Sequence, residues 1–135
     1  MAPTTRILTH LFIISCLVAC KDKDDTGTAP NHAPEIVSYT DGGPNCGTNE
    51  KNILCLSSET IVFVIVDDDD GDMLSFEWSL SQSGSVESAE NTAQPSGQVS
   101  EIALIPEDVV DGETLRCMAS DGNESESVEW TLSLP

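Results

Sequence analysis

Three separated segments of this chain alternate apolar with polar residues, with Met118 in the second as the exception. Leu74, Phe76, Trp78 and Leu80 are interleaved with Ser75, Glu77 and Ser79. Leu115, Cys117 and Ala119 are interleaved with Thr114, Arg116 and Met118, and Val128, Trp130, Leu132 and Leu134 with Glu129, Thr131 and Ser133. Successive side chains of an extended backbone point to opposite sides, so each segment is predicted to be a strand with one face to bury. Thr60 to Val66 is nearly all apolar and β-branched, as in a central strand covered on both faces. Ile36 to Tyr39 reads as a short first strand and Val99 to Ile105 as a further one. Residues 81–97 are polar and read as loop, with at most a short edge strand near Val86. Pro106 to Gly112 has room for one short turn of helix, and no apolar stripe recurs at a helical period for three turns. About seven antiparallel strands separated by Gly, Asp and Ser turns predict an all-β sandwich of two packed sheets.

The first twenty residues have a different character. Arg6 precedes an apolar run from Ile7 to Ala19 that is broken only by Thr9, His10 and Ser15, the pattern of a secretory leader. As a helix, that run spans about 20 Å, short of the roughly 30 Å hydrocarbon core of a bilayer. It ends in Leu17-Val18-Ala19-Cys20, and Lys21-Asp22-Lys23-Asp24-Asp25 follows at once. This junction resembles the lipobox of bacterial lipoproteins. The resemblance implies cleavage before Cys20 and multiple acylation of its thiol, which would hold the protein on a lipid bilayer. It also implies a place in the bacterial cell envelope. Lys21, where an aspartate would favour retention at the inner membrane, points to the outer membrane or cell surface. The expected organisation is thus a signal peptide over residues 1–20 with lipidated Cys20, a polar tether over 21–33, and a single domain over 34–135.

Charge narrows the partners. The chain has 5 basic and 24 acidic residues, and the leader holds one of the former and none of the latter. The remainder therefore carries 4 basic against 24 acidic, a net charge of −20. Such a surface repels phosphate backbones, which excludes nucleic acid as a partner, and it attracts cations. The expected partners are the bilayer, through Cys20, and another envelope protein or a glycan.

Asn31-His32-Ala33-Pro34-Glu35-Ile36, Asp69-Asp70-Gly71-Asp72-Met73-Leu74-Ser75-Phe76-Glu77-Trp78 and Gly112 to Gly122 together resemble the immunoglobulin-like modules of bacterial surface proteins, in particular the cadherin-like and polycystic-kidney-disease-like types. The resemblance runs over residues 31–134 and implies an immunoglobulin-like sandwich that serves as an interaction or structural module. Two departures stand out. Four consecutive aspartates occur where the family often has fewer, and Cys55 and Trp78 are 23 residues apart, long for an antibody-type core disulfide.

With Cys16 in the leader and Cys20 assigned to the lipid, three cysteines are left for an oxidising compartment. A Cys46–Cys55 disulfide would close a ten-residue segment within the glycine-rich stretch Asp41 to Ser58 and stabilise it by roughly 2 to 3 kcal/mol. Cys117, on the inward face of its strand, would then be a buried free thiol. The alternative is Cys55–Cys117 across the sheets, with Cys46 free; an intermolecular bond is a third arrangement.

Asp67 to Asp72 places five carboxylates in six residues, a repulsion that solvent or a cation must offset. Gly71 allows the sharp bend by which alternate carboxylates converge, as hard divalent cations require. The run is not an EF-hand loop, because strands flank it and the glutamate expected at the twelfth position is absent. In a sandwich of this kind the same end also receives the last hairpin and the start of the first strand. Asp121, Asn123, Glu124 and Glu35 are therefore candidates to join Asp68, Asp70 and Asp72 in a calcium site. The resemblance to cadherin-like modules implies the same end. The competing reading is a solvated acidic turn that ends two strands.

Catalytic patterns are not found. His32 is the sole histidine after the leader, and no glycine-flanked nucleophile, zinc-type cluster or phosphate-cradling loop accompanies it. Carboxylate pairs such as Glu107 with Asp108 are expected by chance in so acidic a chain. Trp78 and Trp130 lie on the apolar sides of their strands and are expected in the core rather than as a sugar platform. The chain reads as a binding or structural protein with no certain cofactor.

Overall fold

The computed structural model describes residues 29–42, 46–86, 90–94 and 97–135. Nine strands are present among the described residues: β1 (Glu35–Tyr39), β2 (Ile53–Cys55), β3 (Thr60–Asp67), β4 (Ser75–Leu80), β5 (Gly84–Ser85), β6 (Glu90–Gln94), β7 (Gly97–Leu104), β8 (Thr114–Ser120) and β9 (Ser125–Ser133). They form a four-stranded sheet in the order β1-β3-β7-β6 and a five-stranded sheet in the order β2-β9-β8-β4-β5. The expected immunoglobulin-like sandwich is therefore present, with more strands than the alternation marks. β2, β5 and β6 are two to five residues long, and β6 is largely polar, so they leave no periodic signal and are held by backbone pairing. The pairing is also not wholly antiparallel: β2 runs parallel to β9, Ile53 opposite Thr131 and Cys55 opposite Ser133. The turn expected after Pro106 is a 3-10 turn at Pro106–Asp108.

The alternation does what its period requires. Trp78, Leu80, Leu115, Cys117, Ala119, Val128, Trp130 and Leu132 are buried from one sheet. They meet Val62, Val64, Val66, Ile102 and Leu104 from the other, with Leu54 and Leu56 closing one margin. Trp78 lies opposite Cys117, and Leu115 opposite Trp130. The two indoles stack with centroids 5.9 Å apart and planes 11° from parallel. Each indole N–H is satisfied, that of Trp78 by Ser100 Oγ on the facing sheet at 2.8 Å and that of Trp130 by the Thr40 carbonyl at 2.9 Å. Both tryptophans are thus core residues that also tie the sheets together.

One expectation about β3 is corrected. It is central in its sheet, hydrogen-bonded to β1 and β7. Val62, Val64 and Val66 are buried, but Ile61 is 54% exposed and Phe63 and Ile65 are half-buried. A two-layer sandwich covers each sheet on one face only, so an apolar run without alternation does not mean two covered faces.

Cys46 and Cys55 are joined in a disulfide, with Cα atoms 5.3 Å apart. Cys117 is the free cysteine among the described residues; it is buried, and burial pushes its thiol up to about 12. Of the three arrangements left open by the sequence, the loop disulfide is the one formed. β2 lies at the end of this loop, so the disulfide fixes the segment that pairs with β9.

Candidate functional site

The β3–β4 loop, the β8–β9 loop and the segment entering β1 meet at one end of the sandwich. In the first, the Gly71 N–H bonds the Asp68 carbonyl at 3.0 Å and Gly71 adopts φ +73°, a left-handed conformation that glycine reaches without strain. Asp68 Oδ1 accepts the backbone N–H groups of Asp70 at 3.0 Å and Asp72 at 3.2 Å, so the loop wraps around its own carboxylate. In consequence one carboxylate oxygen from each of Asp68, Asp70 and Asp72 lies within 4.8 Å of the others. Asp68 Oδ2 is buried and has no hydrogen-bond partner among the described residues. Unpaired buried acceptors are uncommon, and a divalent cation at this point would supply the missing partner.

The β8–β9 loop is built on the same device. Asp121 Oδ1 accepts the N–H groups of Asn123 at 2.6 Å and Glu124 at 2.7 Å. Its Oδ2 accepts from Asn31 Nδ2 at 2.7 Å, and the Asn31 side chain takes a bond from Asn123 Nδ2 at 3.3 Å. The next residue, His32, clasps the other loop: its backbone N–H donates to Asp70 Oδ2 at 2.7 Å and its ring Nδ1 lies 3.1 Å from Asp70 Oδ1. Asn31 and His32 thus bridge the two acidic loops, although their sequence surroundings read as tether. A polar, Pro-flanked segment gives no local sign that its two polar side chains will find carboxylates 38 and 90 residues away.

These contacts shift the charges in a consistent sense. The Asn31 amide, aided by the N–H groups of Glu124 and Asn123, holds the Asp121 carboxyl below its ordinary value. The His32 backbone N–H and then its ring do the same for Asp70. In return, the hydrogen bond and charge of Asp70 raise the His32 imidazole above 6.5.

The predicted ligand set is therefore brought together in part. Asp68, Asp70 and Asp72 converge. Asp121 is near, joined to Asp70 through Asn31 and His32, but is not in the 4.8 Å group, and Asn123 is bonded to Asp121 and Asn31. Glu35 is exposed at the start of β1 opposite Asp67 and is not in the converging group. The three converging oxygens, one from each carboxylate, are fewer than the six to eight that calcium takes, so water would complete the shell. A surface cluster of this kind can coordinate a divalent cation.

Glu113 was not singled out by sequence. It is 1% exposed, and its carboxylate accepts from the Val110 N–H at 2.6 Å, Ser83 Oγ at 2.9 Å, and the Gln82 and Ser83 N–H groups at 3.1 and 3.2 Å. It staples the β4–β5 turn to the turn before β8. A single acid between Gly112 and Thr114 has no distinguishing sequence pattern, and its role arises only from the fold.

The residues expected to form a signal peptide ending at Cys20, and most of those expected to form a tether, lie outside the described residues. The expected bilayer partner requires correction. The cysteines placed in the structure are Cys46 and Cys55, bonded to each other, and buried Cys117, so none of them presents a thiol that a lipid could modify.

No protein-family model matches the chain, and no curated protein matches it in sequence. Solved structures do match it in fold. Titin domain M7 is 13% identical, with TM-score 0.52 over 78% of this chain and 97% of that one. The N-terminal Ig1-2 module of the Drosophila receptor protein tyrosine phosphatase DLAR is 19% identical, with TM-score 0.51 over 77% of this chain and 50% of that one, so this chain spans half of that module. The titin M10 complex with the obscurin-like 1 Ig domain gives TM-score 0.50 at 9% identity. At these identities the likeness establishes an immunoglobulin-like β-sandwich.

Proposed function

We propose that this protein is an interaction module of an oxidising compartment, and that its acidic end is the surface it presents. The observation that carries this reading is the convergence of the β3–β4 loop, the β8–β9 loop and the entry to β1 on one set of carboxylates bridged by Asn31 and His32, while most of the large apolar residues are used to join the sheets. The Cys46–Cys55 disulfide supports the compartment, because such bonds persist where thiols are oxidised. The test is capture with the full chain under non-reducing conditions, followed by reconstitution of the complex from purified components. A stoichiometric complex weakened by replacing the end-loop carboxylates is expected. A complex indifferent to those replacements, or none at micromolar concentrations, overturns the reading.

A second reading, calcium-dependent binding at the same end, is favoured by the buried, unpartnered Asp68 Oδ2 beside Asp70 and Asp72. A ligand that binds the folded state at ten times its Kd stabilises by about 1.4 kcal/mol, roughly 5 °C in Tm for a domain of this size. Calcium at millimolar concentration should raise the Tm of the full chain by several degrees. The combined Asp68→Asn, Asp70→Asn, Asp72→Asn variant should lose that response. No shift in the unaltered protein sinks the cation reading and leaves the first intact.

A further inference from the structure

β9 is covered along only part of its outer edge. β2 pairs with Thr131 to Ser133 and then turns away at Asn52, whose carbonyl takes the Thr131 N–H and whose side chain donates to the Glu129 carbonyl at 2.9 Å. In the antiparallel β8–β9 ladder the backbone groups of alternate residues point to β8. Leu132 donates to the Glu113 carbonyl on that side, so Val128 and Trp130 follow it, and those of Ser125, Ser127 and Glu129 point the other way. Among the described residues no strand meets the edge from Ser125 to Glu129, about 17 Å of extended chain. Beside it runs a groove of about 510 Å³ between β9 and β1, lined by Ile36, Tyr39, Asn52, Glu126, Val128 and Glu129. The far wall is the outer edge of β1, where the Ile36 N–H donates to Glu126 Oε2 at 2.7 Å.

Unpaired edges invite another chain, and charge decides which one. The carboxylates of Glu126 and Glu129 flank this edge on opposite faces, and Arg116, 3.8 Å from Glu129, is the nearby cation. In a chain of net charge −19 they oppose pairing with a second copy and favour a cationic segment. We propose that the edge of β9 from Ser125 to Glu129 takes up an extended, lysine- or arginine-bearing segment of a partner protein as an added strand. This deepens the interaction-module reading and rests on it. Backbone pairing supplies the docking, alternate side chains enter the groove, and the flanking carboxylates select basic residues.

The probe is a blocked eight-residue peptide of alternating lysine and valine, titrated into the isotopically labelled full chain and followed by amide chemical shifts and hydrogen exchange. Saturable shifts at Ser125, Ser127 and Glu129 with slowed exchange of the Ser127 N–H are expected. Glu129→Lys, a surface change, should weaken binding at least tenfold, and Ser127→Pro, which removes the central edge donor, should abolish it in protein whose other amide shifts are preserved. No saturable change at millimolar peptide overturns the proposal. Equal binding of the matching glutamate-valine peptide overturns its charge selection. Concentration-dependent shifts along β9 without peptide overturn it in favour of a second copy. Shifts confined to residues 68–72 and 121–124 overturn the edge assignment and leave the interaction-module reading standing.

Discussion

Replacing Glu113 by glutamine probes a buried carboxylate that accepts four hydrogen bonds, with the exchange of a single heavy atom. Each carboxylate oxygen accepts two bonds: Oε1 from the Val110 N–H and Ser83 Oγ, and Oε2 from the Gln82 and Ser83 N–H groups. The amide of glutamine keeps one acceptor oxygen and turns a nitrogen donor toward two donors at the other position. Two charge-assisted bonds are lost, each contributing about 1.5 to 3 kcal/mol. Gln82, Ser83 and Val110 are themselves exposed, so water recovers part of this. The expected cost of Glu113→Gln is about 2 to 3 kcal/mol, roughly 10 °C in Tm. The pH dependence makes the reasoning sharper. Burial pushes the Glu113 carboxyl up, but its hydrogen bonds outweigh burial and hold it below the ordinary 4.5. A carboxyl lowered on folding contributes stability that is present above 4.5 and lost as pH falls through its folded value. The gap between the two proteins should therefore be full at pH 7 and narrow below pH 4.5. Thermal and urea unfolding of the full chain, followed by the fluorescence of Trp78 and Trp130, measures it. A glutamine variant melting within 2 °C of the parent at pH 7, or a gap equal at pH 7 and pH 3, refutes the argument.

Ser100→Ala leaves the buried Trp78 N–H without its acceptor and should cost about 1 to 3 kcal/mol in urea unfolding, more than the lost oxygen alone would suggest. Removing the disulfide as Cys46→Ala, Cys55→Ala should cost about 2 to 3 kcal/mol and should accelerate hydrogen exchange in β2 before it affects β8. Alkylation mapped cysteine by cysteine should leave Cys117 unmodified until the protein is unfolded, since its thiol is buried and pushed up to about 12. The His32 clasp has the opposite pH sense to Glu113: its imidazole is raised, so the charged contact with Asp70 is complete below 6.5 and is lost as pH rises through the folded value. Amide shifts of Asn31 to Ala33 should follow that titration, and His32→Ala should remove it.

The strands that bury one face were legible because burial on one side and water on the other force a period of two, as in Leu74 to Leu80 and Val128 to Leu134. β2 and β6 were not, since three to five residues held by ladder hydrogen bonds need no side-chain pattern; β5 is the short edge strand expected near Val86. Thr60 to Val66 misled for a related reason: an unbroken apolar run reports β propensity as well as burial, and Ile61 shows the two parting. At the acidic end, the convergence of Asp68, Asp70 and Asp72 followed from Gly71 and local spacing. The bridge through Asn31 and His32 did not, because it joins segments distant in sequence through polar contacts that only the assembled sandwich brings within reach.

Hydrogen exchange of the full chain, free and in its reconstituted complex, tests most directly whether the acidic end carries recognition. Protection should appear in residues 68–72, 121–124 and the first half of β9. Protection confined to the outer face of the β1-β3-β7-β6 sheet, or to the loop closed by Cys46 and Cys55, would contradict it.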